Sequence, residues 1–86
     1  MEEAKERVLR YFKEHNTLTL ATWEQERPWA TALFYASDGF DLFFLSDPKT
    51  RHSVDLEANP IVAVTIQEDY QEWASIKGVQ MEGRAY

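Results

Sequence analysis

Residues 43–52, with the sequence FFLSDPKTRH, bring four side chains that can bind an anion close together. Ser46 and Thr50 offer hydroxyl donors. Arg51 offers a planar fork of N–H groups that matches the oxygens of a phosphate, and His52 adds a second positive charge when it is protonated. These residue types, delivered directly after an apolar run, predict a site for a phosphate group.

Asp47 and Pro48 predict how this segment folds. Asp is a favoured N-cap and Pro is favoured at the first helical position, so the two residues predict that a helix begins here, directly after a strand. Its first turn would contain Lys49, Thr50 and Arg51, and its free backbone N–H groups would point at the same anion. Ordinary helix capping with exposed basic side chains is the alternative interpretation of the same residues.

Apolar periodicity predicts the elements that position this corner. A 3.6-residue period indicates a helix over Glu2–His15, and Asn59-Pro60 ends the second helix. Strands are indicated by alternation and by β-branched residues, and Asp38-Gly39 predicts a tight turn between the second and the third. The predicted strands are Thr17–Trp23, Pro28–Ala36, Phe40–Ser46, Ile61–Ile66 and Val79–Tyr86.

This order of elements predicts an α+β fold whose sheet is mostly antiparallel and barrel-like, with flanking helices. Leu42–Leu45 is apolar on both faces, which places the third strand centrally. Ile61–Ile66 is a continuous β-branched run, which predicts a strand buried on both sides. With 86 residues, the chain predicts a single domain over residues 1–86.

The charge, the length of the apolar runs and the lack of cysteine indicate which kinds of partner and location are disfavoured or favoured. Nine basic and fifteen acidic residues give a net charge of −6, which disfavours nucleic acid. The apolar runs are far shorter than the roughly 20 residues that a membrane helix needs, which disfavours a membrane. The absence of cysteine fits a cytoplasmic protein. The spacing of His15 and His52 predicts no metal site.

Two stretches, FFLSDPKTRH and LEANPIVAVTI, resemble the pyridoxamine 5'-phosphate oxidase-like, FMN-binding split-barrel family. The first is similar to the family pattern of apolar residues, Ser or Thr, Asn or Asp, a hydroxyl residue, Arg, then Lys or His. The second is similar to the family's Asn-Pro at the start of a strand. The resemblance extends over Thr17–Tyr86, and it implies a six-stranded split barrel that forms a homodimer with FMN in the groove between subunits.

The resemblance implies three groups of cofactor-binding residues. One lies near the FMN phosphate and ribityl chain, one lies beside the isoalloxazine ring and contacts it largely through backbone, and one approaches the flavin before the last strand. In this order, the groups are Ser46, Thr50, Arg51 and His52; Thr31, Ala32 and Leu33; and Lys77 and Gly78. Trp29 and Trp73 are assigned either to the pocket or to core and dimer contacts.

The chain departs from the family pattern in three ways. Thr31 and Ala36 stand where pyridoxamine oxidases carry Arg and Lys, and Gly78 stands where Gln is common, so the residues do not predict the vitamin B6 reaction. The family also continues with a further helix and strand beyond Tyr86, so we expect a barrel that is incomplete at its C-terminus.

Two function classes remain open. The first is an FMN-dependent oxidoreductase with an unknown small-molecule substrate. The second is a non-catalytic dimeric module that binds FMN weakly, or that binds another cofactor such as haem or F420.

Overall fold

A computed structural model of the chain describes residues 2–86, and its elements follow the predicted order with one addition, a short strand at Ala36–Asp38 that the sequence did not predict. Neither of its α-helices is long and apolar enough to cross a membrane. The helices are α1, Glu2–Glu14, and α2, Arg51–Ala58; the strands are β1, Thr17–Glu24; β2, Arg27–Phe34; β3, Ala36–Asp38; β4, Asp41–Phe43; β5, Ile61–Gln67; and β6, Gly78–Arg84, with a single 3-10 turn at Trp73–Ser75.

Four strands form the main sheet in the order β2-β1-β5-β6, and every neighbouring pair is antiparallel. β3 and β4 form a separate two-stranded ribbon. This arrangement confirms the α+β class and the antiparallel sheet. Within residues 2–86 the sheet does not close into a barrel.

The core lies on one face of the main sheet. Leu18 and Leu20 from β1 and Val62 and Ile66 from β5 are buried there, and Phe12 from α1 packs against them. Because side chains alternate between the two faces of a strand, the intervening residues lie on the opposite face, called here the outer face.

Tyr35 ends the second strand earlier than predicted. β2 stops at Phe34, and Ala36 already belongs to β3. The Tyr35 side chain is buried, and its hydroxyl donates a hydrogen bond of 2.8 Å to the carbonyl oxygen of Phe12. The break between the strands therefore anchors α1 to the sheet.

The third predicted strand, Phe40–Ser46, is neither long nor central. Only three of its residues form β4, whose one partner in the described chain is β3. Leu42 and Phe44 pack against the core, whereas Phe43 and Leu45 are 57% and 98% exposed. The run is apolar on both faces, but only one face is covered, so the prediction of a central strand is wrong.

β5 differs from its prediction for the same reason. Val62 and Ile66 are buried, but Ile61 and Ala63 on the outer face are exposed. The prediction of burial on both sides is therefore wrong within the described chain, although the position of the strand is right.

Gly39 allows a test of the predicted turn. Its φ of +60° is in the left-handed region, and a Cβ added there meets no atom within 4 Å. We expect Gly39→Ala to lower the free energy of unfolding by about 1 kcal/mol, as measured by urea denaturation, because only the backbone is strained. Gly83→Ala is the control, since its surroundings are equally open and its φ is ordinary. Equal effects of the two substitutions would contradict this assignment.

We expect ionisation of Tyr35 to lower the stability of the fold in alkali. Burial, together with the neighbouring Tyr11, raises the pKa of Tyr35 above its ordinary value of 10.0. The folded state therefore holds this proton more tightly than the unfolded chain, so the contribution is complete below pH 10 and is lost as pH rises through the folded pKa.

We expect Tyr35→Phe to lower stability by about 1 kcal/mol at neutral pH, because the hydrogen bond to Phe12 is lost. The variant should then lose less further stability in alkali than the wild type. Urea denaturation at a series of pH values measures both effects. Tyr86→Phe, at a fully exposed position, is the control. A Tyr35→Phe profile parallel to that of the wild type would argue against the role of this tyrosine.

Candidate phosphate-binding site

The corner before α2 is a turn followed by a helix. The helix begins at Arg51 with the extended residue Thr50 as its N-cap, so the prediction of a helix starting at Asp47-Pro48 is wrong. Asp47 instead closes the turn, because its Oδ1 accepts a hydrogen bond of 2.8 Å from the Lys49 N–H and its carbonyl oxygen accepts one of 3.1 Å from the Thr50 N–H. The Asp47 carboxylate is thereby engaged with the backbone.

The turn brings two hydroxyl groups to one imidazole and a third hydroxyl group to one of those two. His52 is buried, and its Nε2 lies 2.7 Å from Ser46 Oγ and 3.3 Å from Thr50 Oγ1. Thr50 Oγ1 also lies 2.9 Å from Ser53 Oγ. The structure thus brings together the predicted Ser46, Thr50 and His52, and it adds Ser53, which the sequence analysis missed.

The start of α2 contributes backbone donors to the same corner. The Thr50 side chain does not cap a backbone N–H group of the helix. The first intrahelical bond runs from the Val54 N–H to the Thr50 carbonyl oxygen, at 3.0 Å. The preceding amide groups of the helix have no intrahelical acceptor, and such groups favour an anion.

Arg51 is held by contacts on two of its sides. Its Nε donates a hydrogen bond of 3.2 Å to Oδ1 of Asp55, and its guanidinium carbon lies 4.8 Å from the centre of the Trp29 ring. The other carboxylate oxygen of Asp55 accepts a hydrogen bond of 2.8 Å from the Thr22 hydroxyl. Asp55 is only 2% exposed, whereas the Arg51 side chain is 34% exposed, so the end of the guanidinium reaches solvent.

The sequence contained signals for this second network. Arg51 and Asp55 are four residues apart, which is the spacing of an ion pair along a helix. Thr22 follows Leu18 and Leu20 at alternate positions of one strand, where it is a polar residue on an apolar face. Neither signal shows that Thr22 and Asp55 are in contact, because 33 residues separate them in the sequence.

The predicted ring-contacting residues lie on β2, an edge strand of the sheet. In an antiparallel pair, successive residues direct their backbone N–H and C=O groups alternately toward and away from the partner. The Tyr35 N–H donates a hydrogen bond of 2.9 Å to the Asn16 carbonyl oxygen. The β1–β2 register then places the backbone groups of Leu33 and Thr31 in the ladder and those of Ala32 at the open edge.

Backbone hydrogen bonds to a ligand are therefore available at Ala32 but not at Thr31 or Leu33. The Thr31 hydroxyl is buried without a hydrogen-bond partner among residues 2–86. It lies on the core face of the strand, since Thr31 pairs with the buried Leu20.

Lys77 and Gly78 lie beside α1 rather than beside α2. They line a cavity of about 980 Å³ next to α1, while Ser46 lines a separate apolar cavity of about 830 Å³ between the sheet and β4. The Lys77 carbonyl oxygen accepts a hydrogen bond of 3.2 Å from the Tyr11 hydroxyl, which also bonds to the Tyr70 hydroxyl and raises the pKa of Tyr70. One chain does not bring these two residues to the phosphate corner.

Comparison with known proteins identifies the family. The family model described as pyridoxamine 5'-phosphate oxidase matches residues 4–86. The chain belongs to this family. One relative is a UPF0306 protein of Photorhabdus laumondii. It is 34% identical over 78 residues, which cover 88% of this chain and 54% of the relative. The chain thus spans about half the length of that relative.

Solved structures share the fold of this chain. The haem storage protein HutZ from Vibrio cholerae superposes with a TM-score of 0.79 at 25% identity, over 92% of this chain and 58% of HutZ. A candidate pyridoxamine 5'-phosphate oxidase from Listeria innocua superposes with a TM-score of 0.85 at 20% identity, over 94% of this chain and 63% of the other. The split-barrel type of fold predicted from the sequence is thereby confirmed.

Thr22 provides a test of the network beneath the corner. We expect Thr22→Val to lower the free energy of unfolding by about 1–3 kcal/mol, because the nearly isosteric valine leaves one oxygen of the buried Asp55 carboxylate without its donor. Chemical denaturation measures the change. Thr19→Val on the outer face of the same strand is the matched control and should change little. A neutral Thr22→Val would show that this hydrogen bond contributes nothing to stability.

Proposed function

We propose that the corner before α2 binds the phosphate of FMN, and that the protein is an FMN-binding flavoprotein with oxidoreductase activity. The observation that carries this proposal is the convergence of polar groups at the start of the helix: hydroxyls from Ser46 and Ser53, the free end of the Arg51 guanidinium, and backbone amide groups. The Thr50 hydroxyl lies among them and donates a hydrogen bond of 2.8 Å to the Asp47 carbonyl oxygen. A phosphate needs several donors at once, and this donor set fits it.

The main objection to an anion site here is the nearby Asp47 carboxylate, and its hydrogen bonding answers that objection. Asp47 would repel a phosphate, but its carboxylate is bonded to the Lys49 N–H. The net charge of −6 does not favour an anion, so the site must act through local contacts. FMN, when bound, would supply the electron transfer, and the chain's own residues would hold and orient it. Arg51 and the hydroxyls would hold the phosphate, and the Ala32 backbone would bond to the ring.

A homodimer with the cofactor between subunits is part of the proposal. Lys77 and Gly78 lie away from the corner within one chain, so their contact with the same flavin would require a second copy. The outer face of the sheet exposes Phe34 and Trp23, at 77% and 49%. Apolar surface of this kind is typical of an interface. A cytoplasmic location stays a prediction.

Haem is the second cofactor to consider, because HutZ is described as a haem storage protein. A haem iron commonly takes an imidazole nitrogen as its ligand. Here His52 Nε2 lies 2.7 Å from Ser46 Oγ, and His15 Nδ1 lies 2.8 Å from the Tyr11 carbonyl oxygen. His52 is also buried, and the second nitrogen of His15, Nε2, lies 3.5 Å from a carboxylate oxygen of Glu68. This arrangement of the two rings favours FMN over haem. The visible absorption spectrum separates FMN, haem and F420, and the native mass tests the dimer.

Arg51→Ala provides the test of the phosphate contact. We expect the dissociation constant for FMN to rise at least about tenfold, because a charge-assisted hydrogen bond is lost. Affinity for riboflavin, which has no phosphate, should change little. Fluorescence titration with both flavins measures the two constants.

Lys5→Ala is the matched control for charge, since Lys5 is exposed on α1. It removes the same single positive charge far from the corner. Wild-type protein that binds FMN no more tightly than riboflavin would rule out the proposed site.

A further inference from the structure

We propose that Asp55 is a positioning residue, which together with Trp29 presents the Arg51 guanidinium to a phosphoryl group before the ligand arrives. The inference rests on the proposed function of the corner. It adds that the site selects a terminal phosphate through the direction of the Arg51 N–H groups, and that this direction is set by a carboxylate that does not touch the ligand.

The contacts of Arg51 leave one side of the guanidinium for a ligand. Nε is occupied by Asp55 at 3.2 Å, and one face of the group lies over Trp29 at 4.8 Å. The remaining donors are on the two terminal nitrogens, which lie in the plane of the group. Two parallel N–H groups of this kind match two oxygens of a phosphoryl group.

Asp55 is itself fixed, which makes it suitable for positioning. Its carboxylate is 2% exposed and is bonded on its other oxygen to the Thr22 hydroxyl, at 2.8 Å. Thr22 lies on β1, which has a neighbouring strand on each side. The orientation of Oδ1, and therefore of the Arg51 Nε–H, is set by the sheet rather than by the exposed surface of the helix.

Preorganisation is the physical gain from this arrangement. A free arginine side chain loses much rotamer freedom when it binds a ligand, and a side chain ordered beforehand loses less. The pairing with Asp55 also cancels much of the arginine's charge. Recognition then depends on the geometry of hydrogen bonds more than on net attraction, so a lysine could not replace Arg51.

The experiment compares FMN with riboflavin in the full chain. We expect Asp55→Ala to reduce the preference for FMN over riboflavin about tenfold, the effect expected of a lost bond to a charged group. Asp55→Asn should retain most of the preference. Its amide can donate to the Thr22 hydroxyl while its oxygen still accepts from Arg51.

A double-mutant cycle shows whether Asp55 acts through Arg51. If it does, Asp55→Ala should have no further effect on the preference once Arg51→Ala is present. Additive effects would overturn the proposal, because they would mean that Asp55 acts independently. The Arg51 Nε–H resonance gives a readout without ligand, and we expect it to be sharp in the wild type and exchange-broadened in Asp55→Ala.

The outcomes separate this inference from the proposed function. A wild type without a preference for FMN would overturn both. A wild-type preference that Asp55→Ala retains would overturn the positioning role alone. If Asp55→Ala does not fold, Trp29→Leu takes its place, because Trp29 is 43% exposed and its replacement removes only the stacking side of the arrangement. An unchanged preference in Trp29→Leu would then overturn the proposal.

Discussion

The structure around the corner depends on one buried charge, the Asp55 carboxylate. Removal of a carboxylate from water has a penalty of several kcal/mol unless partners satisfy both of its oxygens. Thr22 satisfies one oxygen and Arg51 satisfies the other. This requirement fixes where α2 lies on the sheet, and the position of α2 decides where its free amide groups and the hydroxyls of Thr50 and Ser53 point.

The register of one hairpin supplies the rest of the arrangement. Thr22 pairs with Trp29 across β1 and β2, so their side chains lie next to each other on the core face. The hydroxyl beneath Asp55 and the ring beneath Arg51 therefore come from one pair of residues. A slip of β2 by one residue against β1 would turn the Trp29 side chain to the outer face and separate it from Thr22. The turn of this hairpin holds Gln25 and Glu26 at positive φ, which fixes a two-residue connection and hence the register.

Local signals were enough to predict part of this molecule. The 3.6-residue period predicted α1, and the Asp-Gly turn and the hydroxyl-rich corner lie where the sequence indicated. The start of α2 was not predictable, because the Asp47 carboxylate can cap either a helix or the turn before it. The central strand predicted from the apolar run Leu42–Leu45 was wrong for another reason. Such a run shows that both faces of the strand are apolar, but it does not show that this chain covers both.

Asp55 shows why the most important contact was the hardest to predict. From the sequence, Arg51 and Asp55 form an ion pair on the surface of a short helix, and such pairs contribute little. Only contact with a strand 33 residues earlier buries the carboxylate and fixes the pair. The same contact would explain how an acidic chain could present the proposed site for an anion. Long-range attraction is weak over a surface with a net charge of −6, so the proposed binding would depend on short, directed hydrogen bonds from an arginine that Asp55 holds in place.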